Sequence, residues 1–260
     1  MNIAVCCPSY KRPEVKTLDY LPFVKVYVDG SEYDEYCRKN IDANIARCDD
    51  GIQGNVARVR NYILDTEFRN GADAVCIMDD DVHNVSCFKV DKETNYGYVH
   101  DPIKAEEFME FLEKYTLLCD EWGFKLWGVN CNKDNMTYRH CTPFSTTSVI
   151  LGPFSVHLKN EIRYDLSLPL KEDYDLFIQH MNRYRGVLRL NFAHYDCLQS
   201  ENKGGCATIR NRKREKEQFE MLQRKWGSQI VREDRTNKGK TKKVKVFDYN
   251  PIIRIPIQGV

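Results

Sequence analysis

Short apolar runs rich in β-branched residues alternate with helical patterns along most of this chain, which points to an α/β fold with a mainly parallel sheet. The predicted strands are Ile3–Cys7, Phe23–Val28, Ala74–Met78, Leu126–Asn130, Thr147–Leu151 and Val187–Phe192. Helices are predicted near 55–68, 103–122 and 173–184. The second is the clearest: Phe108, Phe111, Leu112, Tyr115, Leu118 and Trp122 share one face, and Asp101-Pro102 reads as its cap and first turn. After Tyr195 come a glycine-containing loop, a charged helix near 208–226, a lysine-rich tail and PIIRIPI, whose prolines confine it to an edge strand. The expected organisation is a core over 1–200 and a basic helical extension over 201–260 packed on it.

At 42% hydrophobic and 30% charged, the chain is neither collagen-like nor wholly disordered. No apolar run approaches the ~20 residues of a membrane helix, and MNIAVCCPSY reads as a short strand rather than a signal peptide. Eleven cysteines without a CxxC pair imply a reduced, cytoplasmic protein with no disulfide framework or structural zinc. The net charge of +1 hides an asymmetry. Residues 202–245 carry 15 Lys/Arg against 5 Asp/Glu, a net of +10, and the rest carries 24 against 33, a net of −9. An acidic body with a basic C-terminal region implies an anionic partner.

The most informative segment is AVCIMDDDV, residues 74–82, in which a buried strand runs into Asp79, Asp80 and Asp81. Ligands of α/β sheets bind beyond the carboxyl ends of strands. Three adjacent carboxylates need a cation or donors to offset their repulsion. Strand alternation would put Asp79 and Asp81 on one side, a pair of hard oxygen ligands suited to Mg²⁺ or Mn²⁺; a solvated acidic turn is the competing reading. The first strand ends in Pro8, Ser9 and Tyr10, and the second in Asp29, which either meets a nucleobase or makes an Asp-Gly turn. Asn55 can cap the helix of GIQGNVARVRNYILD, on which Arg60 falls beside the apolar stripe, either snorkelling or aimed at a diphosphate.

Together these pieces resemble the GT-A nucleotide-sugar glycosyltransferases over roughly residues 1–195. The matching motifs are Pro8-Ser9-Tyr10-Lys11-Arg12, the strand-end Asp29, the Ala57 to Asn61 helix and the D-x-D of Asp79 and Asp81. The resemblance implies a GT-A, Rossmann-like sheet flanked by helices. It also implies a nucleotide-sugar donor, UDP-linked by expectation, held by Pro8, Ser9, Tyr10, Arg12, Asp29, Arg60, Asp79 and Asp80. Inverting members carry an E-D pair opening a later helix, matched by Glu172 and Asp173 in LKEDYDLFIQHM. Asp173 is then the first choice of general base, Glu172 the second and Asp175 the third, although Asp173 also reads as a plain helix cap. His194 is either a further metal ligand beside Asp79 and Asp81 or a packed side chain; His83 is a weaker candidate, and His140-Cys141 reads as structural.

Lys203-Gly204-Gly205-Cys206, Arg210, Glu215 and Lys225-Trp226-Gly227 resemble the C-terminal part of the TET-associated glycosyltransferases. Those phage and viral enzymes add sugars to 5-hydroxymethylpyrimidines in DNA. The resemblance implies a DNA acceptor, a cytoplasmic (host-cytoplasm) setting, and DNA contacts from Lys203, Arg210, Arg212, Lys213, Arg214, Lys238, Lys240, Lys242 and Lys243. In the helix, Phe219, Leu222 and Trp226 mark the packed face, and interleaved Glu215, Glu217 and Glu220 offer a solvated, self-paired alternative. Two other functions remain open: the same enzyme class acting on a glycan, lipid carrier or protein, and a nucleic-acid-binding protein whose α/β body does not catalyse.

Overall fold

The computed structural model describes residues 1–93, 97–197, 210–234 and 249–256. In chain order the elements are β1 (Ile3–Pro8), α1 (Thr17–Tyr20), β2 (Lys25–Val28), α2 (Tyr33–Lys39), β3 (Ile45–Arg47), α3 (Val56–Arg69), β4 (Ala74–Met78), β5 (Val82–Val90), β6 (Tyr98–Pro102), α4 (Ala105–Glu121), β7 (Leu126–Asn130), β8 (Phe144–Ser145), β9 (Phe154–Leu158), α5 (Glu172–Tyr184), β10 (Leu188–Cys197), α6 (Arg212–Trp226), β11 (Val231–Glu233) and β12 (Pro251–Ile253).

The described strands β1 to β10 form one sheet in the order β3-β2-β1-β4-β9-β7-β10-β5-β6, with β8 beside β10. Strands β3, β2, β1, β4, β7, β10 and β6 point one way, and β9, β5 and β8 the other. The α/β architecture and mostly parallel sheet expected from the sequence are therefore present. Two buried clusters lie against the sheet. One gathers Phe108 and Leu112 of α4 with Trp127 and Phe154. The other gathers Val59 and Ile63 of α3, Phe177 and Met181 of α5, and Phe219 and Leu222 of α6. The extension's helix thus packs through the apolar face its sequence marks, with Asn211 capping it by accepting from Arg214 N at 3.0 Å.

Two sequence expectations are corrected. Thr147–Leu151 is a loop, and the buried strand is the later Phe154–Leu158, antiparallel between β4 and β7. Its alternating Ser155 and His157 hide it from a search for apolar runs; both are buried, and Ser155 Oγ and Tyr164 OH face His157 Nε2 at 3.0 and 3.1 Å. Asp101-Pro102 does not cap α4: the pair closes β6 opposite Cys87 and Ser86, and the helix begins at Ala105 with no side-chain cap. A hairpin partner on β5 outcompetes the local capping preference. The closing PII pairs with β11 in a separate two-stranded sheet, as an edge strand should.

His157 on β9 and His180 on α5 are buried as neutral imidazoles; burial pushes His157 well below the usual histidine range and His180 down to about 4. His180 donates from Nδ1 to Leu176 O at 2.9 Å. A folded-state pKa below the unfolded value means that the unfolded chain binds the extra proton, so stability is present above the ordinary histidine range and is lost as pH falls through it. Urea unfolding from pH 7 to 4 should show stability falling with acid, and His180→Asn should flatten part of that slope. An identical slope in the variant would refute the assignment.

Candidate active site

The parallel strands β1, β2 and β4 lie side by side and end at one edge of the sheet, which places Ser9, Asp29 and Asp79 along it. The chain leaves β4 at Met78 and turns at once, so strand alternation no longer governs the acidic triplet. Asp79 faces α3, where Arg60 Nη2 meets its Oδ1 at 2.7 Å. Asp80 and Asp81 instead share Arg12, whose Nη1 lies 2.8 Å from Asp80 Oδ1 and 3.2 Å from Asp81 Oδ2. Ser9 Oγ donates to Asp80 Oδ2 at 2.6 Å and also meets Tyr36 OH at 2.9 Å. The Pro-Ser-Tyr-Lys-Arg turn therefore clasps the acidic turn directly. Thr17, which nothing in the sequence singles out, buckles it from below: its hydroxyl donates to Asp79 O at 2.6 Å and accepts from Val82 N at 3.1 Å.

Arg60 is buried to 2% of its surface and joins two halves of the site. Besides Asp79 it donates from Nη1 to Glu172 Oε1 at 3.0 Å and from Nη2 to Gly152 O at 3.1 Å, with Tyr164 stacked 5.6 Å from its guanidinium carbon. It therefore does not snorkel, as one sequence reading allowed. The same contacts bring the first turn of α5 to the strand ends, with Asp173 Oδ2 accepting from Gly152 N at 3.3 Å. Sequence reading overlooked Gly152, a glycine with a definite reason to be one: a Cβ there would stand 2.8 Å from both Arg60 Nη atoms.

Five carboxylates, Asp79, Asp80, Asp81, Glu172 and Asp173, thus surround two guanidiniums. Burial pushes Asp80 up to about 7 despite Arg12 and Ser9, and burial raises both Glu172 and Asp173, for Glu172 with the help of its neighbour's charge. A cation bound among carboxyls raised in this way would return them to the charged form. Asp79 keeps 32% of its side chain exposed and Asp81 13%, enough to offer oxygens from the turn. Among the described residues no three His, Cys, Asp or Glu side chains stand as a metal cage, so the protein's share would be one or two carboxylates, as Mg²⁺ accepts when phosphates and water complete its shell.

At the other end of the edge Asp29 is buried against the 48–54 loop. Burial works against its charge, but donation from Ser31 Oγ at 2.7 Å, Ser31 N at 3.2 Å and Gly51 N at 3.0 Å holds the carboxyl below its ordinary range. Tyr10 is half-buried, its hydroxyl 4.0 Å from where a Cβ on Gly54 would lie. Pro8 closes β1 opposite Tyr27.

Other predicted residues fall elsewhere. His194 Nε2 faces His100 Nδ1 at 2.8 Å, and His194 pairs with Ser86, well along β5 from the acidic turn. Burial and His100 push it down to about 4, and Phe88 packs on it at 4.7 Å. The structure does not bring it to the aspartates, and the packed-side-chain reading describes its surroundings. His83 is exposed on β5. Asp175 is fully buried and bound by Trp226 Nε1 at 2.7 Å, Lys225 Nζ at 2.8 Å and Gln179 Nε2 at 2.7 Å, so it anchors α6 rather than facing an acceptor. On α6, Arg212 and Arg214 are exposed in the first turn, Lys213 lies 3.9 Å from Glu217, and preceding Arg210 lies 3.0 Å from Glu215. Lys203, Lys238, Lys240, Lys242 and Lys243 lie outside the described residues.

No protein-family model and no curated protein sequence matches the chain. Solved structures do. Glucosyl-3-phosphoglycerate synthase from Mycobacterium tuberculosis, in complex with Mn²⁺, UDP and phosphoglyceric acid, is similar at a TM-score of 0.51 and 12% identity, over 89% of this chain and 81% of that one. The mannosyltransferase PcManGT from Pyrobaculum calidifontis, in complex with GDP-Man and Mn²⁺, gives a TM-score of 0.49 and 12% identity over 86% and 64%. S. aureus TarS 1–349, in complex with UDP, gives 0.43 and 14% over 75% of this chain, which spans 59% of that one. The fold is the GT-A, Rossmann-like type anticipated from the sequence. No helix among the described residues is long and apolar enough to cross a membrane.

The crowding at Gly152 gives a direct test. Gly152→Ala should displace the Arg60 guanidinium and cost about 1–3 kcal/mol of stability, read by urea unfolding. Unchanged stability would mean that the guanidinium is not held there.

Proposed function

We propose that the protein is a metal-dependent, inverting glycosyltransferase that moves a sugar from a UDP-type donor to the hydroxyl of a 5-hydroxymethylpyrimidine, 5-hydroxymethylcytosine first, in DNA. The observation that supports this most is the Arg60 bridge, which unites the strand-end aspartates and the acid pair of α5 in one site on a GT-A sheet. Tyr10, Asp29 and the 48–54 loop take the nucleoside, with Pro8, Ser9 and Arg12 shaping the turn beneath it. Asp79 and Asp81 hold Mn²⁺ or Mg²⁺, which when bound offsets the charge of the diphosphate. His194 has no part in this reading. Asp173 accepts the proton of the acceptor hydroxyl as that oxygen attacks the anomeric carbon and the bond to the diphosphate oxygen breaks on the opposite face. Glu172 is committed to Arg60 and Asp173 is the more accessible of the two, which makes Asp173 the better base.

The acceptor assignment rests on the basic segment and on the resemblance of its motifs to the DNA-modifying enzymes. Self-pairing on α6 shifts the weight of that argument to the first-turn arginines and the tail lysines, which fall in a segment with a net of +10.

Mass spectrometry of nucleosides after incubation with hydroxymethylated DNA, Mn²⁺ and a panel of nucleotide sugars should show a hexose or pentose adduct absent with unmodified DNA. Transfer to a glycan, lipid carrier or protein instead would leave the donor chemistry standing and remove the DNA acceptor. DNA binding without transfer to any acceptor would overturn the enzyme reading. Asp81→Ala should abolish metal-dependent transfer while leaving the fold intact, read by circular dichroism; wild-type rates in the variant with EDTA present would refute the metal role. Neutralising Lys238, Lys240, Lys242, Lys243 and Lys245 should flatten the salt dependence of DNA binding by about 0.9 in log–log slope for each phosphate that the tail no longer neutralises.

A further inference from the structure

The turn that carries Glu172 and Asp173 is bracketed by the extension. One residue before the pair, Lys171 is buried to 2% of its side chain and donates to Glu215 Oε2 of α6 at 2.5 Å and to Asn250 Oδ1 at 3.3 Å. Two residues after it, Asp175 takes the Trp226 and Lys225 donors at the far end of α6. The approach to α5 is tied as well: Gln218 Nε2 donates to Ser167 O at 3.0 Å, and Lys225 Nζ lies 2.6 Å from Asp165. The carboxylates of Glu172 and Asp173 themselves meet Arg60, the Tyr174 N–H and the Gly152 N–H instead. The extension therefore grips the turn on both sides while leaving its acid pair to the site.

Stability alone does not call for this arrangement. The buried Lys171–Glu215 pair, whose carboxylate also meets the partly exposed Arg210 at 3.0 Å, gains little over apolar residues of equal volume, because both of its charges are desolvated. In some proteins such buried polar pairs instead fix the register of one element on another. We propose that Glu215, acting through Lys171, is a positioning residue that sets the first turn of α5 and thereby the Asp173 carboxylate against the acceptor hydroxyl. The extension is then part of the catalytic machinery as well as a surface for the acceptor. This rests on Asp173 being the base.

The test is a double-mutant cycle between Glu215→Ala and Asp173→Asn in the full chain, assayed with hydroxymethylated DNA and UDP-glucose, or whichever sugar nucleotide of the panel gives transfer. Glu215→Ala should lower kcat about 100-fold, the scale of a misplaced reacting group. It should leave the affinity for UDP with Mn²⁺, measured by calorimetry, within about twofold, since binding and chemistry separate when only positioning is lost. In the Asp173→Asn background Glu215→Ala should cost nothing further, the two acting as one unit. Glu215→Gln, which keeps an acceptor for Lys171, should recover most of kcat. The apolar pair Lys171→Met with Glu215→Leu should keep thermal stability and still lack kcat. Additive losses, wild-type kcat in the stable apolar pair, or UDP affinity falling in step with kcat would each overturn the positioning role while leaving Asp173 as base. Wild-type kcat in Asp173→Asn alone would instead overturn the base assignment, and the positioning role with it.

Discussion

A guanidinium with only 2% of its surface in contact with solvent has to be neutralised by protein on every side, and Arg60 organises the molecule around that requirement. Its carboxylate partners come from parts of the chain remote in sequence: Asp79 follows β4 and Glu172 opens α5. Its backbone partner is Gly152, in the bend that reverses the chain into β9. Removing any of these would leave a buried guanidinium N–H without its acceptor, so the sheet edge, the bend and the helix N-terminus are specified together. The same ring of partners accounts for the antiparallel insertion of β9, since Asp79 N also donates to Pro153 O at 3.1 Å across the bend.

The second guanidinium does the complementary work on the open side. Arg12 serves Asp80 and Asp81 at once, and Ser9 completes Asp80, so that the acidic turn is held by the first loop of the chain. Two arginines against five carboxylates leave a site that is structured yet still anionic. Burial lifts Asp80 to about 7, and the charges of Asp81 and Asp79 add to that lift. An anionic site with defined oxygens attracts a cation, and through it a diphosphate that bare carboxylates would repel.

How much of this the sequence revealed follows from how local each cause is. The strand Ala74–Met78, the Asn55 cap of α3 and the apolar face of α6 were legible because propensity, capping and periodicity act within a few residues. The convergence of Ser9, Asp29 and Asp79 was legible too, because parallel strands place their carboxyl ends together whatever their contacts. Strand β9 was not, since Ser155 and His157 break its apolar run, and Tyr164, which packs against His157, comes from outside the strand. Thr17 and Gly152 were invisible because their roles are a hydroxyl under a turn and a missing methyl beside an arginine, neither of which leaves a pattern along the chain. His194 and Asp175 show the converse: residue type and position suited a site, but His100 and Trp226, distant in sequence, claim them.

The division of charge bears on how a polyanionic acceptor would approach. A phosphate backbone brought within the Debye length, about 8 Å at physiological ionic strength, of an anionic site is repelled. An acceptor hydroxyl on DNA must therefore arrive with its own phosphates held away, which an extruded base accomplishes. In the proposed reaction Arg212 and Arg214 would do the holding, because α6 is anchored beside the acid pair through its inner face while these two point outward from its first turn. One helix would then carry both demands of such a reaction, attraction for the backbone on its exposed side and register for the base on its buried side. Separating them onto two faces of a single helix would keep Arg212 and Arg214 from neutralising the carboxylates that the proposed chemistry needs.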